Sequence, residues 1–127
     1  MTENEIATEI VDAAYKVHTT LDPGLLESVY ETVLAYELEH KGLIVKRQVI
    51  LPVKYESLYI DDGYRADIIV DEKVIVELKS VERTTPVYKK QLLTYLRLSD
   101  KRLGLLINFG DALICDGITR VANRFNE

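Results

Sequence analysis

The residues best suited to chemistry lie on either side of one short connection. Asp67 stands in YRADIIV (64–70), and Glu77 and Lys79 stand in VIVELKSVE (74–82). Val74, Ile75, Val76 and Leu78 make the second stretch read as a strand buried on both faces, yet two charges interrupt it. Strand side chains alternate sides, so Glu77 and Lys79 share one face of the sheet. A buried charge is costly unless it is paired or bound to a metal. If 64–70 and 74–80 form a hairpin, Asp67 becomes a sheet neighbour of Glu77. Two carboxylates that close repel until one keeps its proton or a cation neutralises them. Magnesium prefers one or two carboxylates and retains waters. Lys79, on the face of Glu77, can orient a water or stabilise developing negative charge. The competing reading of this short D…ExK spacing is a structural ion-pair cluster at the exposed end of a sheet.

Other polar residues have two readings each. Arg65, two before Asp67, shares its face and either binds phosphate or pairs with the acids. Glu27 falls in the first turn of a helix, where the dipole favours a carboxylate; Tyr30, three residues on, hydrogen-bonds Glu27 or fills the core. Gln91 and Tyr95 are four apart and share a helix face, with Tyr88 nearby; Tyr95 packs on the sheet or touches substrate. His18 reads as structural or surface, and His40 as exposed. The single cysteine, Cys115, excludes an internal disulfide and a multi-thiolate zinc site. In the apolar run ALIC it is expected to be a small core residue.

Elements must position these groups. Ile6, Ile10, Ala14 and Val17 recur at helical spacing over 4–18, and Thr19–Gly24 breaks the pattern. A second helix, about 25–40, has Leu26, Val29, Tyr30, Val33, Leu34 and Leu38 on its apolar side and Gly42 as its stop. Residues 43–55 read as a strand, with Pro52 marking an edge or a bulge. Asp61-Asp62-Gly63 is a turn signal, so 64–70 pairs back as a second strand, followed by 74–80. Thr84-Thr85-Pro86 starts a third helix to about 98, with a threonine cap and proline in the first turn. Residues 103–109 form another buried strand, and 112–118 a short last one; RVANRFNE is a final helical turn or frayed. The order ααβββαββ, with two antiparallel hairpins and a helical crossover, predicts an α/β mixed β-sheet flanked by helices.

At 127 residues the chain suits one domain, 1–127. Its net charge of −5 argues mildly against a bulk nucleic-acid binder, but the charge is uneven. Residues 1–40 carry nine acids and Lys16 as the one base, whereas 83–102 carry Arg83, Lys89, Lys90, Arg97, Lys101 and Arg102 against Asp100. That segment reads as a phosphate-holding surface or a solvated helix face. The N-terminus lacks the pattern of a signal peptide and no run approaches membrane-spanning length; a cytoplasmic location is expected.

Asp67, then Glu77-Leu78-Lys79, then a helix carrying Gln91 resembles the PD-(D/E)XK nuclease superfamily. Gly24-Leu25-Leu26-Glu27-Ser28-Val29-Tyr30 matches the signature of the GxxExxY proteins, a prokaryotic branch of it. QVILPVKY, GYRADIIV, VIVELKSVE, QLLTYL and GLLINF are similar to that family too, from about residue 5 to 123. Ala66 stands where the superfamily motif has proline. The resemblance implies a restriction-endonuclease-like fold and a magnesium- or manganese-dependent nuclease. Asp67 and Glu77 would be its metal-binding acids, Leu78 a ligand through its carbonyl, and Glu27 a ligand directly or through water. Lys79 would aid water activation and Gln91 would border the site. Arg65, Tyr95 and Lys89 are the candidates for contacting substrate, DNA ahead of RNA, with a homodimer completing the grip. The alternatives are a non-catalytic nucleic-acid-binding module and a protein-interaction module whose charged cluster is structural.

Overall fold

The computed structural model describes residues 1–124. Its elements are α1 (Glu3–Leu21), α2 (Glu27–His40), β1 (Val45–Tyr55), β2 (Leu58–Val70), β3 (Val74–Lys79), α3 (Pro86–Ser99), β4 (Leu103–Asn108), α4 (Ile114–Gly117) and β5 (Ile118–Ala122). The five strands lie side by side in sequence order. Among the described residues only the β3–β4 pair is parallel, and α3 is its crossover. The mixed sheet flanked by helices is as expected.

The charge-interrupted strand β3 is central, which explains its continuous apolar run. Val74, Val76 and Leu78 join a core with Ile6, Ile10, Tyr30 and Leu34 of α1 and α2. Ile75, on the other face, packs with Leu92 and Leu96 of α3 and with Leu106. Each large aliphatic side chain so buried contributes about 1.5–3 kcal/mol. On that second face a Cβ at Gly104 would lie 2.9–3.0 Å from the Leu92 side chain; glycine lets α3 dock close to β4.

Helix α1 begins with a reciprocal capping box between Thr2 and Glu5. Thr85 is the N-cap residue of α3, with Pro86 in the first turn, but its side chain makes no capping bond. The α2 stripe is rotated from the expected one. Leu26 is 75% exposed and Val29 is also exposed, while Glu31 and Ala35 are buried beside Tyr30, Leu34 and Leu38. Those inner neighbours are satisfied because β1 supplies Glu31 with cationic and amide donors, as described below.

Four local expectations are corrected. Asp61-Asp62-Gly63 is not a turn but lies inside β2; the hairpin closes at Glu56-Ser57, between Tyr55 and its partner Leu58. The turn-like residues sit where the register shifts opposite Pro52, between Leu51 and Val53. Pro52 therefore marks both an edge strand and an irregularity, as its missing N–H requires. The last strand is Ile118–Ala122 rather than 112–118, since Ile114–Gly117 forms one helical turn first. Cys115 on that turn is exposed, not in the core, because the neighbouring Ile114 and Gly117 take the inward positions. Of the tail, residues 120–122 are strand, not helix, and residues 125–127 lie outside the described part.

Candidate active site

The site opens where the sheet parts. Strands β2 and β3 pair at Ile68–Val76, Ile69–Ile75 and Val70–Val74 only. The next step would set Asp67 against Glu77, but pairing stops there. Meanwhile β3 stays zipped to β4 as far as Lys79–Asn108, and β2 stays with β1. The separation frees the Leu78 N–H, which donates to Asp67 Oδ2 at 2.8 Å. Asp67 and Glu77 thus stand at the mouth of a wedge between two strands.

Glu77 is the most perturbed group there. Its Oε1 is buried with no hydrogen-bond partner among the described residues. Burial pushes its carboxyl up to about 9, aided by the charge of Asp67 and a side-chain hydrogen bond with it; the Asp67 backbone and then the charge of Lys79 act the other way. Without a cation Glu77 therefore keeps its proton at neutral pH. Lys79 forms no ion pair among the described residues; its Nζ lies 4.3 Å from the centre of the Tyr88 ring, an attraction of ammonium for ring face. Tyr95, also on α3, has its phenol raised by burial and then by Glu77 and Asp67. Tyr95 stacks on Tyr64 with ring centres 4.6 Å apart.

The other flank belongs to α2 and β1. A cleft of ≈ 390 Å³ is lined by Glu27, Glu31, Gln48, Arg65, Asp67 and Leu78 among others. Glu31 accepts from Arg47 Nε and Nη2, both at 2.9 Å, and from the Gln48 side-chain amide. Arg47 Nη2 also donates to Thr32 Oγ1 at 2.8 Å. The Gln48 amide reaches Asp67 Oδ1 at 3.5 Å. A larger groove, ≈ 520 Å³, lies between α1 and the β4–β5 side and contains none of these groups.

The residues singled out from sequence are thus brought together unevenly. Asp67, Leu78, Glu27 and Arg65 share the cleft; Glu77 and Lys79 are not in its lining. Glu27 is exposed as the first residue of α2. Arg65 is exposed and makes no ion pair among the described residues. Gln91 and Lys89 are exposed on α3 and outside the cleft. Tyr30 does not bond Glu27: its hydroxyl donates to Asp22 O at 2.5 Å and accepts from Leu25 N at 3.1 Å, and its ring stacks on Phe109 at 4.5 Å. Gly24 has φ +115°, with nothing near a hypothetical Cβ, so it serves the turn and not close packing. His18 is buried and structural, its Nε2 2.8 Å from Asp111 O; His40 is exposed.

Sequence reasoning missed Glu31, Gln48 and Asn108. Nothing local distinguishes Glu31 from the other acids of α2. Asn108 offered a signal, an amide ending the apolar run LGLLIN; fully buried, it exchanges bonds with Val81 N and O at 3.0 and 2.9 Å and braces the segment after β3.

Divalent metal use is typical of the nuclease superfamily resembled above, and the residues present can be tested for it. All the donors are hard oxygens. Among the described residues Glu77 Oε1 lacks a partner, and Asp67 Oδ1 is held only at 3.5 Å. Among the described residues no three His, Cys, Asp or Glu side chains converge as a metal cage. The arrangement fits an ion that takes one or two carboxylates and keeps most of its waters.

The family model of the PD-(D/E)XK nuclease superfamily matches residues 4–121. No curated protein sequence matches significantly. Among solved structures, the alkaline exonuclease LHK-Exo from Laribacter hongkongensis aligns with TM-score 0.46 and 14% identity, over 96% of this chain and 82% of that one. Its complex with dAMP gives TM-score 0.46 and 15% identity, over 96% and 83%. No helix among the described residues is long and apolar enough to cross a membrane.

Proposed function

The chain belongs to the PD-(D/E)XK nuclease superfamily, and we propose that it is a metal-dependent nuclease hydrolysing phosphodiester bonds of nucleic acid, DNA ahead of RNA. The observation that carries this reading is Glu77 Oε1, buried and without a partner among the described residues, beside Asp67 where β2 and β3 separate. A buried carboxylate oxygen without a protein partner calls for one from outside the chain, and an ion is such a partner.

Asp67 and Glu77 would hold Mg²⁺ or Mn²⁺, with the Leu78 carbonyl and, through water, Glu27 as further donors. Such an ion supplies polarisation of the phosphate and a bound water of lowered pKa. Glu77 would release its proton to solvent in order to hold such an ion. Lys79, leaving Tyr88, orients the attacking water and stabilises charge on the phosphoryl oxygens. The water oxygen bonds phosphorus and gives up one proton, one ester P–O bond breaks, and the leaving oxygen takes up a proton in exchange. Arg65 and Lys89 hold flanking phosphates, and Gln91 and Tyr95 border the scissile group from α3. Gly24, Glu27 and Tyr30 support placement in the GxxExxY branch. A second copy would extend the grip on a duplex, which light scattering with and without DNA tests.

The test is titration of Mg²⁺ and Mn²⁺ against single- and double-stranded DNA and RNA. The expected result is metal-dependent cleavage that falls by ~10²–10⁴-fold in Lys79→Ala, the range for losing a positioned proton-transfer or charge-stabilising group. Absence of cleavage on every substrate, or full activity of Lys79→Ala, overturns the catalytic reading. One observation favours a second reading, nucleic-acid binding without turnover: Lys79 rests on Tyr88 and pairs with neither acid. That reading expects salt-sensitive binding and no products.

A further inference from the structure

Gln48 has φ +51° inside β1, between the paired steps Arg47–Ile68 and Val49–Ala66. A non-glycine residue in this left-handed region is strained, and such strain persists only where the surroundings over-determine it.

The backbone departure changes which way the ribbon faces. Residues two apart on a regular strand share a face. Arg47 bonds to α2, whereas Val49 packs in the core under α3. On β2, Ile68 belongs to the core under α1 and α2, whereas Ala66 belongs to the α3 core. Both strands therefore switch faces at the same step, and the two residues at that step are Gln48 and Asp67.

The Gln48 side chain then lies between two acids. Its amide nitrogen donates to Glu31 Oε1 and approaches Asp67 Oδ1 at 3.5 Å. The other Asp67 oxygen is already held by Leu78 N–H at 2.8 Å. Asp67 is thus gripped from β3 by a backbone donor and from β1 by an amide, and Glu31 anchors that amide to α2.

We infer that Gln48 is a positioning residue, whose strained backbone brings its amide between Glu31 and Asp67 so that Asp67 is aimed at the opening beside Glu77. This rests on the proposed role of Asp67 in holding a divalent ion. The strain is retained because relaxing the strand would turn the amide away from both acids.

Three variants separate position from stability. Gln48→Gly removes the amide and adopts φ +51° without strain. Gln48→Ala removes the amide and keeps the strain. Gln48→Asn keeps an amide on a residue that tolerates the left-handed region. Manganese affinity is measured by calorimetry and by the metal-induced rise in melting temperature, neither of which needs cleavage. Gln48→Gly should melt no lower than wild type without metal, yet bind Mn²⁺ ~10–100-fold more weakly, the usual effect of losing a group that orients a ligand. Gln48→Ala should lose the same affinity and melt lower than Gln48→Gly, and Gln48→Asn should recover part of the affinity. Wild-type Mn²⁺ affinity in Gln48→Gly overturns the inference alone. Absence of Mn²⁺ binding by the wild-type protein overturns it together with the nuclease reading.

Discussion

The acid pair has different neighbours on its two flanks. Towards α2, Glu31 is buried but fully engaged, accepting from Arg47 and Gln48, and Arg47 is further held by Thr32. Towards α3, Glu77 has a buried oxygen with no partner among the described residues, and Lys79 spends its charge on a tyrosine ring. Satisfied polar networks rigidify a fold, and incompletely satisfied ones cost stability. The first flank is therefore complete as it stands and positions the site. The second is incomplete, and it is the flank a bound cation and phosphate would complete.

Glu77→Gln should break this contrast most visibly, with effects of opposite sign. Cleavage should fall by on the order of 10³-fold, while the metal-free protein becomes more stable, because an acid that ionises unwillingly has been replaced by a neutral amide. The same group governs pH dependence. Its folded pKa, about 9, lies above the ordinary 4.5. Below pH 4.5 both states hold the proton and the group contributes nothing. As pH rises from there the unfolded chain releases the proton first, so metal-free stability declines, levelling off above about 9. Melting curves across pH, compared between wild type and Glu77→Gln, should show a slope that the variant lacks and that saturating Mn²⁺ flattens. A destabilised Glu77→Gln would mean that the α3 flank is complete after all.

Glu31→Ala tests the opposite flank and should act on stability first. It strips Arg47 and Gln48 of their shared acceptor, at a cost of about 1–2 kcal/mol because Arg47 can still reach water; chemical denaturation measures this. Arg65→Ala should have the smallest effect. A few-fold loss of nucleic-acid affinity is expected with little change in melting temperature, and the slope of log affinity against log salt should fall by about one unit. A large stability loss in Arg65→Ala would show that it belongs to the structural network.

The parts of this site visible from sequence are those written in side-chain alternation. VIVELKSVE announces a central strand with two charges on one face, and YRADIIV supplies the neighbouring acid. The break in pairing at Asp67 and Glu77 was not visible, because nothing in either segment says where a ladder stops. Asp61-Asp62-Gly63 misled because turn chemistry also suits an irregularity opposite a proline. Glu31 was hidden by a rotation of α2 that exposes Leu26 and Val29, and only the arrival of Arg47 and Gln48 from β1 makes it a buried acid. The reversal of faces at Gln48 and Asp67 defeats alternation itself, the rule on which the rest of the reading stands.

Tyr30 closes the loop before α2 like a pin through a hinge. Its hydroxyl bridges Asp22 O and Leu25 N, its ring is clasped by Phe109 at the end of β4, and Ser80 just beyond β3 donates to Leu25 O at 2.6 Å. The loop is tied at its Leu25 end to the segment after β3 and at its Asp22 end to Tyr30 of α2 and His18 of α1. The start of α2, which lines the cleft through Glu27 and Ser28, is thus fastened to the ends of β3 and β4.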